Sequence, residues 1–190
     1  MRAEASFPLA LRLRGAEGAP LGEVFAFLSG LYFRGKLTYA ARFARPPAAL
    51  AGAFVITPNA GLVEVGRPVT VSDLRRFARV DIDARNPRYR RPFLRDAARV
   101  AGNHPDLEVV LLGSVASDKY VAVLLEVFGE RLLFPPDFVG RGDMSRGGLL
   151  LRSAREGREL EYRPVAGAVR HGPRPPKLPR LPRAPWRAAP

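Results

Sequence analysis

Apolar and polar residues alternate along residues 6–14, SFPLALRLR, where Leu9, Leu11 and Leu13 interleave with Ala10, Arg12 and Arg14. A period of two predicts a half-buried strand, suited to a sheet edge. A Gly/Pro loop over 15–22 leads into EVFAFL at 23–28, a nearly continuous apolar run that reads as a central strand. Ser29-Gly30 breaks it. Residues 31–44 then place Leu37, Ala40, Ala41 and Phe43 at helical spacing, and Pro46-Pro47 ends the helix. AFVIT at 53–57 predicts a second buried strand, followed by turn chemistry at Pro58-Asn59-Ala60-Gly61. A helix is expected over 69–78 with Ser72 as its N-cap, then an irregular polar stretch over 80–86. Pro92 suits the first position of a helix reaching about Ala101, with Phe93, Leu94, Ala97 and Ala98 inward.

LEVVLL at 107–112 reads as a third strand. A helix over 118–128 follows, with Asp118 at its start and Gly129 at its end, and RLLF at 131–134 makes a fourth short strand. Past the loop that begins at 134, two readings stay open. Residues 148–153 and 159–165 form a hairpin turning at Gly157, or a short helix opens over 144–151. The alternation of apolar strands with helices predicts an α/β fold: a three-layer, mostly parallel sheet with helices on both faces, plus a C-terminal hairpin. Residues 1–167 form one domain in this reading. Residues 168–190 form a basic tail, and its 173–190 portion carries seven prolines, a composition that predicts an extended or disordered segment.

Composition changes the picture in three ways. The net charge is +13, and six of the basic residues lie after Gly167 with no acidic residue among them. Such a surface points to a polyanionic partner, nucleic acid or nucleotide. Only Lys36, Lys119 and Lys177 are lysines, an arginine bias typical of a GC-rich genome. Cysteine is absent, which removes disulfides and thiolate chemistry. No apolar run is long enough to span a membrane and no secretory h-region is visible, so a cytoplasmic protein is expected.

In sheets of this predicted kind, ligands sit beyond the carboxyl ends of the strands. That rule selects Ser29, Gly30, Tyr32 and Arg34 after the first central strand, Asn59 and Gly61 after the second, and Gly113 and Ser114 after the third. It also selects the loop over 134–152, FPPDFVGRGDMSRGGLLLR, where Arg141, Ser145 and Arg146 stand among four glycines. Glycine exposes main-chain N–H groups and arginine supplies bidentate donors, the makings of an anion-binding loop. Asp118 and Asp143 are the candidate acid–base carboxylates. Arg91, Arg95 and Arg99, with Arg88 before them, line one outer helix face as a candidate nucleic-acid contact, joined by Arg180, Arg183 and Trp186 of the tail. Asp81 and Asp83 are spaced to share a face as a carboxylate or Mg²⁺ pair, with a polar loop balanced by Arg79 and Arg85 as the plainer reading. The two histidines, His104 and His171, have no ligand pattern around them, and neither dinucleotide-fold nor P-loop fingerprints occur. No metal site is assigned, and the cofactor and oligomeric state are left open.

Four segments, FLSGLYFRGKLTYAARFA, VITPNAGLVEVGRPVTVSDL, VVLLGSVASDKYVAVLL and LLFPPDFVGRGDMSRGGLLL, cover about residues 24–151. Together they resemble a group of small bacterial Rossmann-like or uracil-glycosylase-like α/β domains. The resemblance implies a role with nucleotides or nucleobases. Where that group's turn reads like SAKxGL, this chain has TPNAGL. The leading expectation is therefore a nucleotide- or nucleobase-binding α/β protein acting through the Gly/Arg loop. The alternatives are a non-catalytic nucleic-acid binder using the arginine surface and tail, and an interaction module docking through its prolines.

Overall fold

The computed structural model describes residues 5–179. Among them the elements run α1 (Pro8–Arg14), β1 (Ala19–Pro20), α2 (Leu21–Ser29), α3 (Leu31–Phe43), β2 (Phe54–Ile56), β3 (Leu62–Glu64), β4 (Pro68–Val69), α4 (Val71–Phe77) and α5 (Pro87–Asn103). There follow β5 (Val109–Val110), α6 (Asp118–Phe128), β6 (Leu132–Phe134), α7 (Asp143–Glu156) and β7 (Arg163–Pro164). The strands are short and make three separate sheets: β1 with β4, β2 with β3, and β5-β6-β7. Only β5 and β6 run parallel, so the expected three-layer parallel sheet does not form. Helices carry most of the core instead.

Two expected strands are helices. In α1 the buried positions are Leu9, Ala10 and Leu13, a helical set, whereas Leu11 is 55% exposed. Pro8 opens that helix at its first turn. In α2 Leu21 and Val24 are buried one turn apart, and Phe27 and Leu28 face outward. A short apolar run does not carry its own period, and here the helical one wins. The strand at 53–57 is confirmed as β2, but it folds back on β3 rather than joining a parallel sheet. The turn is closed by Thr57, whose N–H and hydroxyl both reach the Gly61 carbonyl at 2.9 Å. Of the two readings left open past 134, the hairpin over 148–165 is absent and the helix over 144–151 is present, extended to 143–156, while β7 pairs with β6.

Smaller corrections concern helix starts. Thr70, not Ser72, caps α4, in a reciprocal box with Asp73. Asn86 caps α5 and Pro87 takes its first turn, leaving Pro92 inside the helix. Helix α6 spans the expected residues, with Ser117 at its N-cap.

Three apolar clusters hold the body. The largest joins Tyr89, Phe93 and Ala97 of α5 to Val121, Leu124 and Phe128 of α6, over Leu132 and Phe134 of β6. The second packs α1, α2 and the β2–β3 hairpin around Leu13, Leu21, Val55 and Val63. The third holds Tyr39 and Phe43 of α3 against Phe138 and Leu150. Buried Asp96 ties hairpin to helix by accepting from the Leu62 N–H at 3.1 Å.

Helices α3 and α7 pack most intimately. A Cβ on Gly35 would lie 2.7 Å from the Gly147 carbonyl oxygen, and one on Gly147 would lie 2.7 Å from the Tyr32 Cα. The C-terminal segment through Pro179 has no regular secondary structure but lies against the body. Arg170 pairs with Asp118 at 2.9 Å, Arg141 donates to the Pro176 carbonyl at 3.4 Å, and Arg152 donates to that of Pro179. Substituting alanine for Gly35 or Gly147 puts a methyl into backbone that cannot swing aside. Either change is expected to cost at least about 2 kcal/mol in urea unfolding, whereas Gly142→Ala, where a Cβ meets open space, should stay within about 1 kcal/mol.

Candidate functional site

The close crossing of α3 and α7 decides which side chains meet. On α3, Tyr32 and Lys36 lie one turn apart, so both point to the same side. The N-terminal turn of α7 brings Asp143 and Met144 to that side as well, and the segment after β5 contributes Gly113, Ser114 and Ser117. With Lys119 and Tyr120 from the start of α6, these residues line part of a cleft of about 1720 Å³. The Tyr32 hydroxyl donates to the Leu112 carbonyl at 3.1 Å, fastening α3 to the end of β5.

Lys36 is the distinctive group. Its Nζ sits 4.0 Å from the centroid of the Tyr32 ring and 5.6 Å from that of Phe33. Among the described residues no carboxylate comes within ion-pair distance of it. Burial pushes its pKa down to about 8, with Asp143 opposing and Arg146 reinforcing the shift. Burial likewise raises Tyr32 to about 12, and it raises Tyr120, helped by the negative charge of Asp143. Arg146 is buried behind Tyr32, its guanidinium 6.0 Å from that ring and 5.8 Å from the ring of Phe138. Its bonds are long: 3.4 Å to the Phe138 carbonyl and 3.5 Å to Asp143. Two cations therefore share one carboxylate, and Asp143 is itself 70% exposed.

The expected site residues divide into two groups. Ser29, Tyr32, Gly113, Ser114 and Asp143 line the cleft, and Arg146 lies just behind it. Gly30 is the break between α2 and α3, with φ +61°. The others point elsewhere. Arg34 is on another face of α3, beside Leu31 and Leu151. Asn59 donates to the Arg76 carbonyl at 2.7 Å, and Gly61 is pressed against Pro92 and Asp96, so both serve the hairpin. Asp118 is exposed and held by Arg170, which fits an anchor for the C-terminal segment rather than an acid–base group. Arg141 donates to the carbonyls of Asp137 and Pro176 and to Ser145, so neither residue of that pair is directed at the cleft.

Arg88, Arg91, Arg95 and Arg99 are all exposed on α5, with Arg95 and Arg99 turned partly toward Asp96. Arg180, Arg183 and Trp186 lie outside the described residues. Asp83 is occupied by Arg85, whose hydrogen bonds hold its carboxyl down near 2, and no cluster able to hold a metal ion occurs among the described residues. Lys36 stands in the sequence at the same turn as Ser29, Gly30, Tyr32 and Arg34, an anion-site candidate by position, and the fold places it in the cleft with Ser29 and Tyr32. Its signal in the sequence is a lone lysine inside an aromatic, arginine-rich stretch.

No family model, curated protein or solved structure matches the chain. Among the described residues no helix is long and apolar enough to cross a membrane.

The Lys36 shift has a consequence for stability. Above pH 8 the folded protein has released this proton while the unfolded chain still holds it, up to the ordinary value of 10.5. The unfolded state then binds more protons, so stability rises with pH across that window, until the buried tyrosines act in the opposite sense. Denaturation at stepped pH should show a net gain of about 1 kcal/mol between pH 8 and about 9.5, and Lys36→Met should remove it while raising the melting temperature at neutral pH.

Proposed function

We propose that the cleft binds a nucleotide-class ligand, an aromatic base carrying an anionic group. The observation that carries this reading is the Lys36 amine, held at the cleft wall with no carboxylate at ion-pair distance among the described residues and only the exposed, shared Asp143 acting on it from farther off. A cation that the protein compensates only in part favours an external anion. The surroundings supply the rest of what such a ligand needs. Phe25, Phe33, Tyr32 and Tyr120 offer aromatic surface, and Ser29, Ser114 and Ser117 offer hydroxyls for sugar or base edges. Lys119, its Nζ 5.4 Å from the Tyr120 ring, adds a second cation. The cleft exceeds the roughly 300–1000 Å³ usual for a single small ligand, so a nucleotide with an appended group, or one still within a strand, also fits.

Calorimetric titration with nucleoside mono- and triphosphates tests this. Binding should weaken at least about tenfold in Lys36→Met and should fall about tenfold per pH unit above pH 8 as the amine loses its charge. Lys36→Arg should keep the affinity and flatten the pH profile. Unchanged affinity in Lys36→Met would overturn the reading.

A second reading is favoured by the α5 face, where Arg88 and Arg91 make no ion pair among the described residues. On this reading the face carries phosphate contacts to a strand whose base enters the cleft. The slope of log affinity for a short oligonucleotide against log salt should drop by about 2 in the Arg88→Ala/Arg91→Ala double variant, with nucleotide binding untouched.

A further inference from the structure

Two of the three lysines of the chain, Lys36 and Lys119, line the same cleft, although arginine fills 28 of the 31 basic positions. For holding an anion, arginine serves as well or better, because it is always charged and bidentate. What lysine adds is a proton it can release, leaving a nucleophilic amine. The geometry around Lys36 suits that use. Its Nζ lies at the cleft wall, 4.0 Å from the Tyr32 ring centroid and with no ion-pair partner among the described residues; the ring face attracts an ammonium, but withdrawal from water outweighs it and favours the neutral amine. Asp143 and Arg146 face it from α7, and Tyr120 and Lys119 line the cleft from α6.

We propose that Lys36 captures an aldehyde or ketone bearing an anionic group, as a reversible imine within this cleft. The proposal rests on the cleft being an anion site. The nitrogen lone pair attacks the carbonyl carbon, and the carbonyl π pair moves to oxygen, which takes up a proton. The carbinolamine then expels that oxygen as water as the nitrogen gives up its remaining proton and the C=N bond forms. One amine and one carbonyl give one imine and one water, with no oxidant or reductant needed. Asp143, exposed on the first turn of α7, is the group placed to pass protons during the dehydration. The lowered basicity of Lys36 supports this, since it leaves roughly two orders of magnitude more free amine at neutral pH than an ordinary lysine has.

Pyridoxal phosphate is a direct probe, being an aldehyde and a phosphate together. The full chain is incubated with it near neutral pH, reduced with borohydride, and its peptides are analysed by mass spectrometry. Exposed Lys177 is the internal reference. Lys36 should label at least about tenfold faster than Lys177, with the preference shrinking as the pH is raised past about 10.4, the ordinary lysine range. Lys36→Arg should abolish the fast adduct, whereas Lys177→Arg should leave it unchanged. Equal labelling of Lys36 and Lys177 in the folded protein would overturn the inference, even if nucleotides bind. Fast labelling of Lys36 that nucleoside monophosphates fail to suppress would support the reactive amine and count instead against the nucleotide reading.

Discussion

Gly35 on α3 and Gly147 on α7 touch backbone to backbone, and the cleft is a consequence of that contact. Side chains of any size there would hold the two helices apart. With hydrogens in their place, Tyr32 and Lys36 on one helix come into the field of Asp143 and Arg146 on the other. The Tyr32 hydroxyl then extends the arrangement to Leu112, which positions the end of β5 and the serines beyond it. Two absent methyl groups thus fix the relation among three separate parts of the chain.

The distribution of charge follows a second rule. Much of the arginine is spent on the structure itself. Arg90 reaches Glu126 between α5 and α6 at 2.5 Å, Arg45 reaches Glu159 at 2.8 Å, Arg12 meets Glu23, and Arg131 donates to the Leu107 carbonyl at 3.1 Å. These exposed contacts each contribute little stability, but they occupy the guanidinium groups. The cleft lysines have no such engagement. At the far side of the cleft a hydrogen-bonded chain does similar work: the Leu160 N–H donates to the Tyr39 hydroxyl, that hydroxyl is 2.6 Å from Tyr162, and Tyr162 donates to the Glu159 carboxylate that Arg45 holds. A net charge of +13 therefore says less about where a ligand goes than the question of which cations are left over.

How much of this was legible in the sequence depended on the kind of signal. Helix α6 was readable because a carboxylate, an apolar period and a terminal glycine agree over 118–128. Helix α3 was readable because prolines follow it. The parallel sheet was a wrong inference from correct local pieces: β2, β5 and β6 exist near their expected places, but strand pairing is settled by turns and long-range packing that no periodicity records. Helices α1 and α2 were misread because Leu9-Leu11-Leu13 alternates by coincidence and EVFAFL has no period at all. For the site, the residues after 28, 112 and 142 did meet, yet for a different reason than a row of strand ends. The part that could not be read was the role of the glycines at 35 and 147. In a sequence they look like a weakened helix and a turn, whereas in the fold they are the place where two helices touch.

The segment that runs past Gly172 is held in part through its carbonyls, by Arg141 at Pro176 and Arg152 at Pro179, with Leu178 against Gly148. Prolines have no N–H to pair with their own neighbours, so those oxygens are free acceptors along an extended chain. Those two bonds read main chain and not side chains. A replacement at Pro176 or Pro179 that keeps the backbone extended leaves both acceptors in place, whereas losing Arg141 or Arg152 removes a donor that nothing in the segment can replace.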